Sequence, residues 1–166
     1  MVTGCIKVTL NGKSFEFAEK ISLLNALIHA KIELPSPCYH DHLPRTCHCG
    51  LCVIGLREGE NFPWKIELAC IRTIEDGMEV DTEYPQAAKL RRAIINAYLL
   101  KHPLDCSLCD KMGGCFLHKF ALHTNFRGFT RIIGKQYSQR NLRPLGAKIA
   151  IDDDKCILCG RCLKFC

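Results

Sequence analysis

The first eighty residues alternate between apolar and polar positions in a way that predicts strands around one helix. Ile6, Val8 and Leu10 alternate with polar residues, Asn11-Gly12 follows, and Phe15 and Phe17 alternate again. Period-two alternation on either side of Asn-Gly predicts a hairpin over residues 5–17. Leu23, Leu24, Ala26, Leu27, Ile28 and Ala30 then fall at helical spacing behind Ser22, a residue type that caps helices. Leu34-Pro35-Ser36-Pro37 ends that helix. A long loop from Cys38 to Cys52 leads to three predicted strands, Val53–Leu56, Ile66–Ile71 and Met78–Val80. Asn61-Phe62-Pro63 and Glu75-Asp76-Gly77 are the turns between them.

The pattern changes at Tyr84-Pro85. Pro85 suits the first turn of a helix, and Leu90, Ile94, Ala97 and Leu100 or Lys101 follow helical spacing as far as the His102-Pro103 corner. Phe116–His123 predicts a second short helix, whereas residues 126–148 are basic and read as connector and surface. The predicted organisation is α+β: residues 1–84, residues 85–125, and residues 126–166 as three successive units. No internal repeat and no low-complexity tract is visible.

Composition then directs attention to sulfur. Thirteen of the 166 residues are cysteine, an odd number that fits disulfides poorly. The N-terminus carries charges where a signal peptide needs an apolar core, and no apolar run approaches a membrane span. A cytoplasmic chain with C-x2-C pairs is expected to bind metal rather than to form disulfides.

The cysteines form three sets. The first is Cys38-x10-Cys49-x2-Cys52-x17-Cys70, a loop plus one distant cysteine, as a [2Fe–2S] cluster requires. Zinc, or a buried thiol at Cys70, is the plainer alternative. Cys47 is a spare thiol, and His40, His42 and His48 share the loop. The second set is His102-x3-Cys106-x2-Cys109-x5-Cys115. Taken alone it also suits structural zinc, for which Cys3His is a common ligand set, and His102 could merely cap a helix C-terminus. The third is Cys156-x2-Cys159-x2-Cys162-x3-Cys166. Three cysteines at three-residue steps can grip three corners of a [4Fe–4S] cubane, while the fourth in this pattern serves another cluster. The partner cysteine of Cys156, Cys159 and Cys162 is therefore expected beyond this chain, as in a piece of a longer subunit.

Charge changes the picture less than it first promises. The net charge is +6, and eight Lys or Arg lie between Lys111 and Ala150 with no Asp or Glu. That resembles a nucleic-acid patch, but interleaved aromatics and a binding motif are missing. An iron–sulfur cluster with its thiolates carries roughly one to two negative charges, so three of them offset most of the excess.

Three stretches carry a family resemblance. ISLLNALIHAKIELPSPCYH resembles the helix-and-loop signature of the complex I-type [2Fe–2S] domain. LRRAIINAYLLKHPLDCSLCDKMGGCFLH resembles the histidine-ligated [4Fe–4S] motif that follows it, and DDDKCILCGRC resembles the next cluster motif. In order and spacing, the chain is similar to the N-terminal part of the large iron–sulfur subunit of NADH:quinone oxidoreductase. Diaphorase subunits of NAD-reducing hydrogenases, [FeFe] hydrogenases and NAD-dependent formate dehydrogenases share that part.

The resemblance implies a β-grasp [2Fe–2S] domain over 1–84, a small, mainly helical [4Fe–4S] domain over 85–125, and the start of a bacterial-ferredoxin-like domain over 126–166. It assigns Cys38, Cys49, Cys52 and Cys70 to the [2Fe–2S] cluster. His102, Cys106, Cys109 and Cys115 fall to the first [4Fe–4S] cluster, and Cys156, Cys159 and Cys162 to the next. Cys166 is a candidate ligand of a further cluster, and Cys5 and Cys47 stay unassigned. Three features depart from the family pattern. Cys47 stands where the family usually has Gly, and the Cys52–Cys70 interval is longer than the common form. Cys166 is more usual in the hydrogenase and formate dehydrogenase relatives.

The implied function is electron transfer between a flavin- and NAD-binding subunit and a catalytic or quinone-facing subunit, with no substrate site in this chain. Such a hetero-oligomer would sit in the cytoplasm, or peripherally on the cytoplasmic face of a membrane complex. The competing readings are a zinc-stapled module that binds an acidic partner or RNA, and a cluster-based redox sensor.

Overall fold

The computed structural model describes residues 5–45, 47–103, 106–123 and 142–165. They belong to two compact units, Met1–Arg91 with Gly160–Cys166, and Arg92–Cys159. The basic stretch that the sequence marks out lies largely at 124–141, outside the described residues.

The first unit is built on a five-stranded mixed sheet in the order β2-β1-β5-β3-β4. Strands β1 (Ile6–Leu10) and β2 (Lys13–Phe17) form the expected antiparallel hairpin, with Leu10 opposite Lys13. Asn11 and Gly12 have φ of 49° and 78°. Both central residues of this tight turn thus lie in the left-handed region, which Asn and Gly enter at least cost. Helix α1 (Leu23–His29) follows, and the Ser22 hydroxyl accepts the Asn25 amide at 3.2 Å as an N-cap.

Strands β3 (Val53–Arg57), β4 (Lys65–Leu68) and β5 (Met78–Asp81) complete the sheet. β5 runs parallel to β1 and antiparallel to β3. Such an α+β arrangement of two hairpin strands, a crossing helix and further strands is the one expected of a β-grasp.

One side of α1 packs against the sheet. Leu23, Leu24, Ala26 and Leu27 are buried with Val8, Leu10, Ile54, Leu56, Ile74, Met78 and Val80. Each large apolar side chain removed from water contributes about 1.5–3 kcal/mol. The helix is also tied by its backbone: the Leu23 and Leu24 amides donate to the Arg72 and Ala69 carbonyls at 2.8 and 2.9 Å.

β4 is shorter than the Ile66–Ile71 strand expected from the sequence. The chain turns at once after Leu68, whose carbonyl accepts the Ile71 and Arg72 amides at 3.2 and 3.3 Å. Apolar character continues past the strand because Ala69 and Cys70 are buried in that turn. Cys70 thereby sits at a corner, not within the ladder.

Helix α2 (Pro85–Lys101) also corrects the sequence reading. Its buried positions are Ala87, Arg91, Ile95 and Leu99, a four-residue repeat, whereas Leu90 and Leu100 are exposed. The expected stripe of Leu90, Ile94, Ala97 and Leu100 is rotated from the true one, because an arginine occupies the buried face.

In the second unit, a 3-10 turn (Cys106–Leu108) precedes helix α3 (Phe116–His123), as expected for the latter. A two-stranded ribbon of β6 (Leu142–Pro144) and β7 (Ala150–Asp152) has no counterpart in the sequence pattern. Strands of three residues are too short to show alternation. Helix α4 (Arg161–Phe165) belongs with the first unit and is likewise too short to show a helical period. Among the described residues, no helix is long and apolar enough to cross a membrane.

Candidate metal centre

The cysteines of the first set are carried by the loop that returns from α1 and by the corner after β4. Pro35 and Pro37 direct the chain away from α1 into that loop, which carries Cys38 and Cys49, and Cys52 immediately precedes β3. Cys70 is delivered by the corner after β4. Cys38, Cys49, Cys52 and Cys70 are between 1% and 3% exposed. The Cys38 and Cys49 sulfurs are 3.2 Å apart, well beyond a disulfide bond length of about 2.05 Å. No described cysteine is in a disulfide.

The Cys70 thiol hydrogen-bonds with Cys52, and its sulfur also lies 3.5 Å from the Cys47 sulfur. Cys38 thus meets Cys49, and Cys70 meets both Cys52 and Cys47. Among the described residues, no three His, Cys, Asp or Glu side chains converge on a single-ion position.

Electrostatics separates these thiols. The Cys70 hydrogen bond draws Cys52 down to about 7, against the opposing effect of burial. Cys70 is pushed up for the same reason, since it holds the proton that Cys52 accepts, and burial adds to the effect. Burial pushes Cys49 up to about 12, partly offset by the Leu51 amide, which donates to its sulfur at 3.5 Å. Buried thiols that resist ionisation are costly to keep as bare thiolates, and a cationic metal removes that cost by replacing the protons.

The loop is held by polar groups that spacing alone does not single out. Arg45 Nη1 donates to the Cys70 carbonyl at 3.0 Å and so fixes the corner. The Tyr39 hydroxyl lies 2.8 Å from Asn25 Oδ1 and 2.6 Å from Asp41 Oδ1. A phenol has one proton, so the satisfied arrangement has Tyr39 donating to Asp41 and the Asn25 amide turned to donate in return. Burial and that bond to Asp41 raise the Tyr39 pKa. Arg161 donates to the Tyr39 carbonyl. A β-carbon on Gly160 would meet the His48 ring at 3.4 Å, so a glycine there lets the segment lie close. No spacing rule marks Tyr39, Arg45 or Arg161, because the partners that matter are far away in sequence. His40, His42 and His48 are all exposed on the same loop.

The second set occupies consecutive turns between α2 and α3. His102 follows the last residue of α2, its amide still bonded to the Tyr98 carbonyl at 3.0 Å. Cys109 donates its amide to the Cys106 carbonyl at 3.3 Å, Met112 to Cys109 at 3.0 Å, and Gly114 to Lys111 at 3.1 Å. Gly113, at φ 86°, permits the reversal that leads to Cys115. The Cys115 sulfur accepts the His118 amide at 3.4 Å at the start of α3, in the position of a capping side chain. Cys106, Cys109 and Cys115 are half-buried.

The third set follows the β6–β7 ribbon, which Arg143 clamps by a two-pronged ion pair with Asp153 at 2.8 and 2.9 Å. Cys156 and Cys159 are half-buried and Cys162 is exposed on α4. Cys166 lies outside the described residues, and Cys5 is exposed before β1.

The donor set fits iron–sulfur clusters. Soft thiolates, free of disulfides and grouped in pairs around a dry corner, suit a two-iron centre in which each iron takes two thiolates.

Comparison with known proteins gives the families that the chain matches. The 2Fe-2S iron-sulfur cluster binding domain family matches residues 5–85, and the NADH-ubiquinone oxidoreductase-G iron-sulfur binding region matches residues 91–127. The NADH-quinone oxidoreductase G subunit of Rickettsia bellii is 31% identical over 160 residues, covering 96% of this chain and 23% of that protein. The mitochondrial NADH-ubiquinone oxidoreductase 78 kDa subunit of Candida albicans is 29% identical over 162 residues, covering 96% of this chain and 22% of that protein. The chain thus spans about a quarter of the length of these curated relatives.

A crystal structure of an NAD+-reducing [NiFe]-hydrogenase in the H2-reduced state contains a chain of the same fold, with a TM-score of 0.72 and 24% identity. It covers 96% of this chain and 64% of that one. The matched families are iron–sulfur families, and the zinc-stapled alternative finds no support among them. Paired buried thiols in a [2Fe–2S] domain, followed directly by an oxidoreductase-G iron–sulfur region, show that the chain belongs to the family of N-terminal iron–sulfur regions of the large NADH:quinone oxidoreductase iron–sulfur subunit.

Proposed function

We propose that this chain relays electrons as part of an NADH-linked oxidoreductase. The observations that carry the reading are the buried pairing of Cys38 with Cys49, 3.2 Å apart, and the hydrogen-bonded pairing of Cys52 with Cys70. Cys38, Cys49, Cys52 and Cys70 hold a [2Fe–2S] cluster, one pair on each iron. His102, Cys106, Cys109 and Cys115 hold a [4Fe–4S] cluster, and Cys156, Cys159 and Cys162 hold three corners of another. Cys166 serves a further cluster.

When bound, iron–sulfur clusters supply one-electron chemistry. The chain's own residues supply the thiolates and the imidazole and, at the first site, keep water away from the sulfurs. They also fix ligand directions through the Arg45 clamp on Cys70 and the turn that delivers Cys115. The units proposed are 1–84, 85–125 and 126–166, one for each cluster.

The names of the relatives support a place among NADH-quinone oxidoreductase subunits. In that place electrons enter from a flavin- and NAD-binding subunit and leave to a quinone-facing or catalytic subunit, on the cytoplasmic face of a membrane complex. Anaerobic purification followed by iron and sulfide analysis, absorption and electron paramagnetic resonance tests the reading. A brown protein with both cluster types is expected; a colourless zinc protein overturns it.

A further inference from the structure

Cys47 stands outside the four-thiol pattern, yet the fold aims it at one member of that pattern. Its sulfur is 3.5 Å from the Cys70 sulfur. Cys70 is 3% exposed and Cys47 half-buried, so the contact reaches from the loop into the corner. The Cys47 backbone has φ 52°, in the left-handed region that cysteine rarely enters. In that conformation Cys47 meets Cys70, while the neighbouring Cys49 meets Cys38. The two thiols of the loop therefore serve different partners.

We propose that Cys47 and Cys70 are interchangeable ligands of one iron of the [2Fe–2S] cluster. This rests on the cluster assignment above. In the exchange, the iron–sulfur bond to Cys70 breaks as a bond to the Cys47 thiolate forms. Cys47 releases its proton and Cys70 takes one up, and no electron moves. Because the two sulfurs already touch, the exchange needs side-chain motion and no rearrangement of the sheet. The chain then carries a reserve thiol at the corner after β4, and loss of the Cys70 sulfur leaves the cluster fully sulfur-ligated.

The test uses the full chain, purified anaerobically, as the unmutated protein, Cys70→Ser, Cys47→Ala and the double variant. Cys70→Ser is expected to keep the iron content and the all-sulfur absorption and paramagnetic resonance spectra of the unmutated protein. The double variant is expected to lose cluster or to show a shifted spectrum with oxygen on iron. If Cys70→Ser already matches the double variant, the proposal is overturned.

A second measurement follows Cys47 itself. Alkylation of the cluster-loaded protein followed by peptide mass spectrometry should label Cys47 in the unmutated protein and leave it unlabelled, with iron retained, in Cys70→Ser. Equal labelling of Cys47 in both overturns the exchange. An unmutated protein without any [2Fe–2S] signal would instead overturn the underlying assignment.

Discussion

Arg91, on the buried face of α2, donates through Nη2 to the Val53 carbonyl at 3.0 Å. The same nitrogen serves the Thr82 carbonyl, and Nη1 reaches Glu83 at 3.2 Å. The side chain is 9% exposed, so one cation ties the first turns of α2 to the start of β3, the strand that follows Cys52. Arg91→Ala removes this donor from two carbonyls and the cation from Glu83, and should destabilise the fold by about 3 kcal/mol. Thermal melting should fall by about 10 °C. Arg91→Lys should recover only part of this loss, because an ammonium lacks the planar fork.

Gly55 in β3 is required by a close approach. A β-carbon there would lie 2.5 Å from Cβ and Cγ of Tyr84, whose ring stacks on Trp64 at 5.3 Å. Gly55→Ala should cost about 1–3 kcal/mol through overpacking. It should also shift the emission of Trp64, the chain's one tryptophan; a melt and a fluorescence spectrum check both.

Ligand choice in the loop is open to a paired test. In Cys47→Ser the [2Fe–2S] resonance should persist, since Cys47 contacts Cys70 and leaves the Cys38–Cys49 pair intact. In Cys49→Ser it should be lost or distorted, since that thiol is the buried partner of Cys38. The reverse outcome would move the ligand assignment one hook along the loop.

A neutral imidazole at His102 leaves its cluster about one charge less negative than four thiolates would, which favours the reduced form. His102→Cys, in protein with the cluster rebuilt, should keep a [4Fe–4S] centre and lower its midpoint potential. A redox titration followed by paramagnetic resonance reads the change, and an unmoved potential would remove His102 from the iron.

The metal-free fold should respond to pH in two directions. Cys52 is held at about 7 against an ordinary value of 9.0. Its contribution is present above 9 and is lost as pH falls through 7. Cys49 is held at about 12 by burial. Its contribution is present below 9 and is lost as pH rises towards 12. Melting temperature of the metal-free protein should therefore rise from about pH 7 to about pH 9 and fall above it. Cys49→Ser should flatten the alkaline fall.

Much of this protein is legible in the chain because its signals are local. Asn11-Gly12 sets the hairpin, Ser22 starts α1, and Gly113 turns the chain towards Cys115, each through backbone preferences within a few residues. The cysteine spacings announce clusters for the same reason, since ligands a few residues apart readily share a centre.

What spacing cannot convey is which distant groups meet. The contact of Cys47 with Cys70, across 23 residues, depends on β4 ending at Leu68 and on the left-handed turn at Cys47. The grip of Arg91 on Val53 reverses the polarity expected of a buried helix face, and the carbonyls around it, with the Glu83 carboxylate, offset the cost of burying the charge. Hydropathy treats arginine as a surface residue, because its partners belong to a sheet assembled from strands far along the chain. The cluster chemistry is thus carried by local order, whereas the pairing of thiols and the anchoring of the frame that holds them are decided by tertiary packing.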